Sequence, residues 1–259
     1  MKQRADLAMV EVGLAPTRSR AKLLIKEGAV WTNDKMVKKP GEMVLGETLR
    51  LSHKFRFVGR GGEKLDHALN YFALDMTDLI VADIGASTGG FTDCCLQRGA
   101  KKVYAIDVGH DQLASSLIED SRVINMEGCN IRSLSGLEEQ VDFVVADLSY
   151  ISLRLVLDKM FALLTHSGEC VTLFKPQFEV GRENVGKGGI VKNLEQIYTY
   201  LLSFYDWACE HQFYIYGITR SPILGKQGNR EFLLHLGQRE ELLMERQEFM
   251  AQVKESACD

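Results

Sequence analysis

From Leu79 onward, short apolar runs alternate with longer stretches whose apolar residues recur at helical spacing. The runs predict strands near residues 79–83, 102–107, 122–126, 141–147, 169–175 and 213–219, with a last apolar strand following Glu231 through Leu236. Between them, helical periodicity predicts helices near 90–98, 110–118, 152–164 and 193–210. This alternation implies an α/β fold with a doubly wound, Rossmann-like sheet. Ligands of such sheets sit at the carboxyl ends of the strands. No apolar run reaches the roughly 20 residues that a membrane-spanning helix needs.

The N-terminal part follows a different pattern. Leu7, Val10 and Leu14 fall at helical spacing over residues 4–14, and Gly13 stops that helix. Pro16 and Thr17 restart the chain. Thr17 is placed to N-cap a second helix that buries Ala21, Leu24 and Ile25 and ends at Gly28. Ala29–Thr32, a turn at Asn33-Asp34 and Lys35–Val37 predict a small hairpin. Arg18, Lys22 and Lys26 recur every four residues on another helix face. Like charges at that spacing mildly destabilise a helix, so the row makes physical sense facing phosphates.

Composition and charge narrow the class. The chain has 259 residues, 46% hydrophobic and 25% charged, as expected of a soluble globular protein. Its net charge of −4 conceals a split. Residues 1–60 carry 13 Lys and Arg against 6 Asp and Glu, whereas the remainder carries 18 against 29. A basic module on an acidic body invites a polyanionic partner. Residues Met1–Asp6 lack the apolar core of an export signal, and the six cysteines form no CxxC pair. Both features point to a reduced, cytoplasmic protein, and no membrane partner is expected.

Thr17-Arg-Ser-Arg-Ala-Lys-Leu-Leu-Ile-Lys-Glu-Gly28, with Val30, Asn33 and Lys39-Pro-Gly41, resembles the small RNA-binding domain first named in ribosomal protein S4. The resemblance implies an α+β module that reads structured RNA by shape and phosphate positions. Arg4, Arg18, Arg20, Lys22, Lys26, Lys35 and Lys38 are its candidate RNA contacts.

The first strand of the large domain ends in Asp83-Ile-Gly85-Ala-Ser87-Thr-Gly89-Gly90-Phe91. A dinucleotide fingerprint would read GxGxxG, but the spacing here is GxxxGG, with a carboxylate two residues before the first glycine. Pyrophosphate needs backbone N–H groups and a helix N-terminus, where an aspartate is counterproductive. S-adenosylmethionine brings an ammonium and a sulfonium, which an adjacent acid favours. Asp107 ends the next strand, where it can accept hydrogen bonds from ribose hydroxyls. S-adenosylmethionine is therefore the expected cofactor, with Asp83, Gly85, Ser87, Gly89, Gly90, Phe91, Asp107, Asn130 and Asp147 as candidate contacts. No metal site is expected. Gly181–Gly188 nearly spells a P-loop, but Gly188 replaces the Mg²⁺-binding Ser/Thr and no helical pattern follows at once. That stretch is expected to be a mobile loop beside the site.

Charged residues also stand at other strand ends: Asp147-Leu-Ser-Tyr150, Lys175-Pro-Gln-Phe-Glu179 and Gly228-Asn-Arg-Glu231, with Arg60-Gly-Gly-Glu-Lys64 opening a helical pattern upstream. With the glycine loop, Ala105-Ile-Asp-Val-Gly109, Val185-Gly-Lys-Gly-Gly189 and Ser221-Pro-Ile223, they resemble the TlyA family over nearly the whole chain. The resemblance implies an FtsJ-like catalytic domain and 2′-O-methylation of cytidines in ribosomal RNA, in a family that also carries the haemolysin name. It places a Lys-Asp-Lys-Glu tetrad on Lys64, Asp147, Lys175 and Glu231. Cys129 departs from the family, which commonly has threonine there, on the adenine side of the cofactor. A ribose 2′-hydroxyl is a poor nucleophile and must be polarised and aligned with the methyl group. Lys175 either takes up its proton or steers the hydroxyl, and the two acids orient the amines.

Domains are expected over 1–53 (S4-like), 54–62 (linker) and 63–259 (methyltransferase). The nearest rival is an RNA base amino-methyltransferase, since Asp147-Leu-Ser-Tyr150 faintly echoes (Asp/Asn)-Pro-Pro-Tyr, although both prolines are missing and the lysines would lack a purpose. A secreted pore-forming haemolysin would need an export signal and a membrane-inserting segment. An RNA-binding protein that has lost catalysis is disfavoured by the intact tetrad and glycine loop.

Overall fold

The computed structural model describes residues 2–26, 28–51, 56–181, 184–225 and 228–258, with side chains as far as residue 255. Two compact units emerge, residues 1–60 and 61–259. Residues 54 and 55 of the expected linker, and 182 and 183 of the P-loop-like stretch, lie outside the described residues.

The first unit runs β1 (Lys2–Arg4), α1 (Ala5–Glu11), α2 (Arg18–Lys26), β2 (Val30–Thr32), β3 (Lys35–Met36), β4 (Met43–Leu45) and β5 (Leu49–Leu51). Strand β1 pairs with β4, and β5 joins the expected hairpin to make a three-stranded antiparallel sheet. Thr17 Oγ1 accepts the Arg20 N–H at 3.2 Å, and Gly28 closes the helix at φ +77°. Ala21, Leu24 and Ile25 are buried as their spacing implied. Helix α1 differs. It buries Ala5, Ala8 and Met9, whereas Leu7 is 38% exposed and Val10 and Leu14 are half-buried. Ala5, Ala8 and Met9 join Ala21, Leu24 and Ile25 in one buried cluster, so the bulkier apolar row marked the wrong face.

The second unit begins with α3 (Gly61–Tyr71) and β6 (Ile80–Ile84). It continues through α4 (Gly90–Gln97), β7 (Lys102–Asp107), α5 (Ser115–Ile118), β8 (Val123–Glu127), β9 (Val141–Ala146), α6 (Leu157–Phe161) and β10 (Leu164–Phe174). The chain ends with α7 (Pro176–Glu179), α8 (Leu194–Glu210), β11 (Tyr214–Arg220), β12 (Phe232–Gly237) and α9 (Arg246–Cys258). Seven strands form one sheet in the order β11-β12-β10-β9-β6-β7-β8. All run parallel except β12, which is antiparallel to both neighbours. The winding direction reverses between β6 and β9, so a crevice opens beyond their carboxyl ends. Val81, Ala82, Val144, Val145 and Ala146 are fully buried there, as strands covered on both faces must be.

Two expected helices are shorter than their periodicity implied. Of 110–118 only α5 is helical, because the Gln112 and Leu113 N–H groups donate to Glu127 Oε1 at 2.6 and 3.0 Å instead of opening a helix. Of 152–164 only α6 is α-helical. A 3-10 turn precedes it, and β10 begins at Leu164 with a register shift before Glu169.

Candidate active site

The loop from β6 to α4 is shaped by two left-handed glycines, Gly85 at φ +86° and Gly89 at φ +93°. A Cβ on Gly85 would come within 2.9 Å of the Asp147 carbonyl oxygen, so the loop lies directly on the end of β9. A Cβ on Gly89 would meet Leu117 at 2.1 Å, so this glycine serves packing under α5. The loop's amides are used internally. Gly85 and Ala86 donate to the Ile106 carbonyl at 2.8 and 3.1 Å, Ser87 to Asp107 Oδ2 at 2.8 Å, and Gly89 to the Ala86 carbonyl at 2.7 Å. Those four N–H groups are not left to cradle a pyrophosphate, which argues against a dinucleotide. Gly90 and Phe91 are buried, and the Phe91 ring packs against Gly61.

Asp83 is fully buried near the end of β6. Its Oδ2 accepts the Thr92 N–H at 2.8 Å and hydroxyl at 2.6 Å, while Oδ1 has no hydrogen-bond partner among the described residues. Burial pushes the carboxyl up to about 7 against the Thr92 bonds, and the charges of Asp147 and Asp107 add to the rise. Asp107 accepts amides on both oxygens, from Ser87 and, at 2.7 Å, from Gly109. Asn130 is exposed and caps its own turn by accepting the Arg132 N–H at 3.0 Å. Glu127, in the adenine-side segment with Cys129 and Asn130 but not among the expected contacts, anchors the 112–113 backbone. Burial works against its ionisation, but the Gln112 and Leu113 N–H groups overcome this and hold the carboxyl below its ordinary range. Its place at the end of β8, matching Asp107 at the end of β7, was the available signal.

The four charged candidates do come together. Lys64 on α3 donates to Glu231 Oε2 at 2.5 Å and lies 3.9 Å from Asp147 Oδ2. Lys175, immediately after β10, contacts Asp147 Oδ1 and donates to Ser149 Oγ at 3.0 Å. Lys64, Lys175 and Glu231 are buried, and Asp147 is half-buried. The result is a row of alternating sign, Glu231–Lys64–Asp147–Lys175, with no net charge to bury. Beside it Tyr150 is 86% exposed at φ +66°, its ring 5.2 Å from that of Phe178. Asn229, fully buried two residues before Glu231, accepts the Val191 N–H at 2.9 Å and donates to the Gly189 carbonyl at 2.8 Å, tying the glycine-rich stretch to the Glu231 segment.

This arrangement has a counterpart among known proteins, because residues 57–238 match the FtsJ-like methyltransferase family and residues 3–49 the S4 domain. The chain belongs to the FtsJ-like methyltransferase family. It is 45% identical over 241 residues to YqxC of Bacillus subtilis, a protein with an rRNA methyltransferase name, covering 91% of this chain and 85% of that one. It is 40% identical to the 16S/23S rRNA (cytidine-2'-O)-methyltransferase TlyA of Mycobacterium tuberculosis, over 90% of this chain and 89% of that one. A solved structure from Streptococcus thermophilus that carries the hemolysin name superposes with a TM-score of 0.77 at 40% identity, covering 99% and 97% of the two chains. Among the described residues, no helix of the FtsJ-like protein is long and apolar enough to cross a membrane.

In the S4 domain, a groove of about 810 Å³ is lined by Arg4, Lys22, Lys35, Lys38 and Lys39, together with one acid, Glu42. Four of the seven expected RNA contacts therefore share one concavity, and Lys39 joins them. Arg18, Arg20 and Lys26 are not in its lining. Arg4 and Arg18 also have structural partners, since both bind the fully buried Asp6, at 3.0 and 2.9 Å. The Arg4 hydrogen bond, outweighing burial, holds the Asp6 carboxyl down at about 2.

Proposed function

We propose that the protein transfers a methyl group from S-adenosylmethionine to a ribose 2′-hydroxyl of ribosomal RNA, on a cytidine, while the S4 domain grips the RNA. The charge row at the carboxyl ends of the strands, beside the glycine loop, carries this reading. A base amino-methyltransferase has no use for two buried lysines bridged by one aspartate. The name of the M. tuberculosis relative points the same way.

The residues suit the methyl donor. Asp83 Oδ1 is a buried acceptor without a partner, which a cationic ligand group would complete. Asp107 keeps lone pairs beyond its two amide bonds for ribose hydroxyls. When bound, S-adenosylmethionine supplies an electrophilic methyl group on its sulfonium. Lys175 Nζ, held as an ammonium by Asp147 and Ser149, donates a hydrogen bond to the substrate O2′ and steers it toward the methyl group, and the proton that O2′ loses as the O–CH3 bond forms leaves to solvent. Lys64 holds Asp147 and Glu231, so the Asp147 carboxylate stays aimed at Lys175. Tyr150 and Phe178 offer an aromatic face to the target base.

The test is single-turnover methylation of ribosomal subunits with labelled cofactor, followed by mapping of the modified nucleotide. Ribose methylation is expected, slowed about 10²-fold by Lys175→Ala with RNA and cofactor still bound. A 2′-deoxy substitution at the mapped position should abolish it. Methylation that survives the deoxy substitution, or Lys175→Ala at the wild-type rate, would replace this reading with base methylation.

A further inference from the structure

The proposed chemistry uses Lys175 and its neighbours but leaves Glu179, the last residue of α7, without a part. Its side chain is partly buried, and both oxygens are taken by one segment. Ser152 Oγ donates to Oε2 at 2.7 Å, and the Leu153 N–H donates to Oε1 at 2.8 Å. Those two donors close the far end of an arch that begins where the Asp147 N–H bonds the Ile84 carbonyl at 3.1 Å. Between the two anchors lie Ser149, which receives Lys175, and Tyr150, held in a left-handed conformation. A residue with a Cβ stays there only when its surroundings over-determine it. Ser152 Oγ also accepts the Arg154 N–H at 3.2 Å, so the same hydroxyl starts the following turn.

We propose that Glu179 is a positioning residue, clasping the arch of residues 147–153 to α7 and thereby setting Ser149 and Tyr150 against Lys175. The strand ends that carry Asp147 and Lys175 are then joined twice, once by the ion pair and once by this clasp. Burial raises the Glu179 carboxyl above its ordinary range, and the Leu153 and Ser152 bonds oppose that rise. The role rests on the methyl-transfer reading, but the clasp itself can be measured without any RNA.

The experiment compares wild type, Glu179→Ala, Glu179→Gln and Ser152→Ala by amide hydrogen exchange and by single-turnover methylation. Glu179→Ala should speed exchange across residues 148–153 while the sheet amides of β6 and β9 stay protected. Its rate at saturating RNA and cofactor should fall about 10- to 100-fold, with KM for RNA nearly unchanged, as expected when reacting groups are misplaced rather than unbound. Glutamine keeps an acceptor for Leu153 and can donate to the Ser152 hydroxyl, so Glu179→Gln should stay near wild type. Ser152→Ala should fall between the two. Unchanged exchange in the arch of Glu179→Ala, loss of protection throughout the sheet, or Glu179→Gln as damaged as the alanine variant would each overturn the proposal. A wild-type enzyme inactive on every ribosomal RNA would instead sink the proposed reaction, and the exchange data would still decide the clasp.

Discussion

Lys64 Nζ lies 2.5 Å from Glu231 Oε2 across 167 residues of sequence, and both side chains are buried. Removing the lysine alone strands Glu231 and weakens the hold on Asp147. Lys64→Met should therefore cost about 3–5 kcal/mol of unfolding free energy, the range for breaking a buried pair. Adding Glu231→Gln to it removes the uncompensated charge and should restore most of that loss, yet leave methyl transfer impaired. Denaturant unfolding of the two single variants and the double variant measures the coupling. Additive losses would mean that the pair is not a unit.

Asp83 titrates near 7 in the fold, far above the ordinary carboxyl value of 3.8. The folded chain thus keeps a proton that the unfolded chain releases. This contribution to stability is complete below about pH 4 and is lost as pH rises toward 7. A cationic cofactor favours the ionised form. S-adenosylmethionine affinity should accordingly rise from pH 5.5 to about 7, with proton release visible as a buffer-dependent binding enthalpy. Asp83→Asn should bind more weakly and remove most of that proton release. A wild-type profile flat across the window would show that Asp83 does not sense the cofactor.

The first unit separates two uses of positive charge. Asp6 is held at about 2 first by the Arg4 hydrogen bond. The stability it contributes is present above about pH 4 and disappears as pH falls toward 2. Arg18→Glu should destabilise this unit by about 1–3 kcal/mol, because a buried carboxylate loses a partner. Lys22→Glu with Lys38→Glu should spare the fold. It should weaken RNA binding and flatten its salt dependence by about 0.7–0.9 per lost phosphate contact. Thermal unfolding and salt-titrated RNA binding on the same variants separate the effects. RNA affinity insensitive to the lysine pair would move the RNA surface elsewhere.

How much was legible from sequence follows from where the information resides. Strands β6, β7 and β9 are short, mainly apolar runs with an acid at or beside the carboxyl end (Asp83, Asp107 and Asp147), so buried strand and site were written in the same few residues. The tetrad came from the family resemblance, and the convergence of strand ends in a doubly wound sheet only made its members worth noticing, since nothing local pairs Lys64 with Glu231. Strands β1, β4 and β5 were missed because three-residue strands carry no measurable alternation and these, unlike β2 and β3, are not flanked by an Asn-Asp turn that announces a hairpin. Helix α9 went unnoticed because its apolar residues are few and form only a weak stripe, with Phe249 and Val253 as its buried anchors. Asp6 reads as an ordinary surface acid until the fold folds two arginines onto it. Gly89, expected at the cofactor from its place in the loop, also has no room for a Cβ because of Leu113 and Leu117, two side chains whose approach no sequence spacing reveals.

Gly225 tests the placement of Glu231 from the opposite side to Lys64. A Cβ there would fall 2.3 Å from Glu231 Oε1 and 2.9 Å from its carboxyl carbon, so Gly225→Ala must push the carboxylate aside. The carboxylate is pinned by Lys64, and moving it disturbs the row through to Asp147 and Lys175. Gly228 offers the matched control, since a Cβ there meets nothing within 4 Å, although its φ of +91° makes any side chain strained. Gly228→Ala should thus cost about 1 kcal/mol or somewhat more in stability and little in rate. Gly225→Ala should slow single-turnover methylation about 10²-fold, the scale of a misplacement near 1 Å. Pairing it with Glu231→Asp, whose shorter side chain relieves the clash, should recover part of the rate. The expectation fails if Gly225→Ala is fully active, or if its loss matches that of Gly228→Ala in both stability and rate.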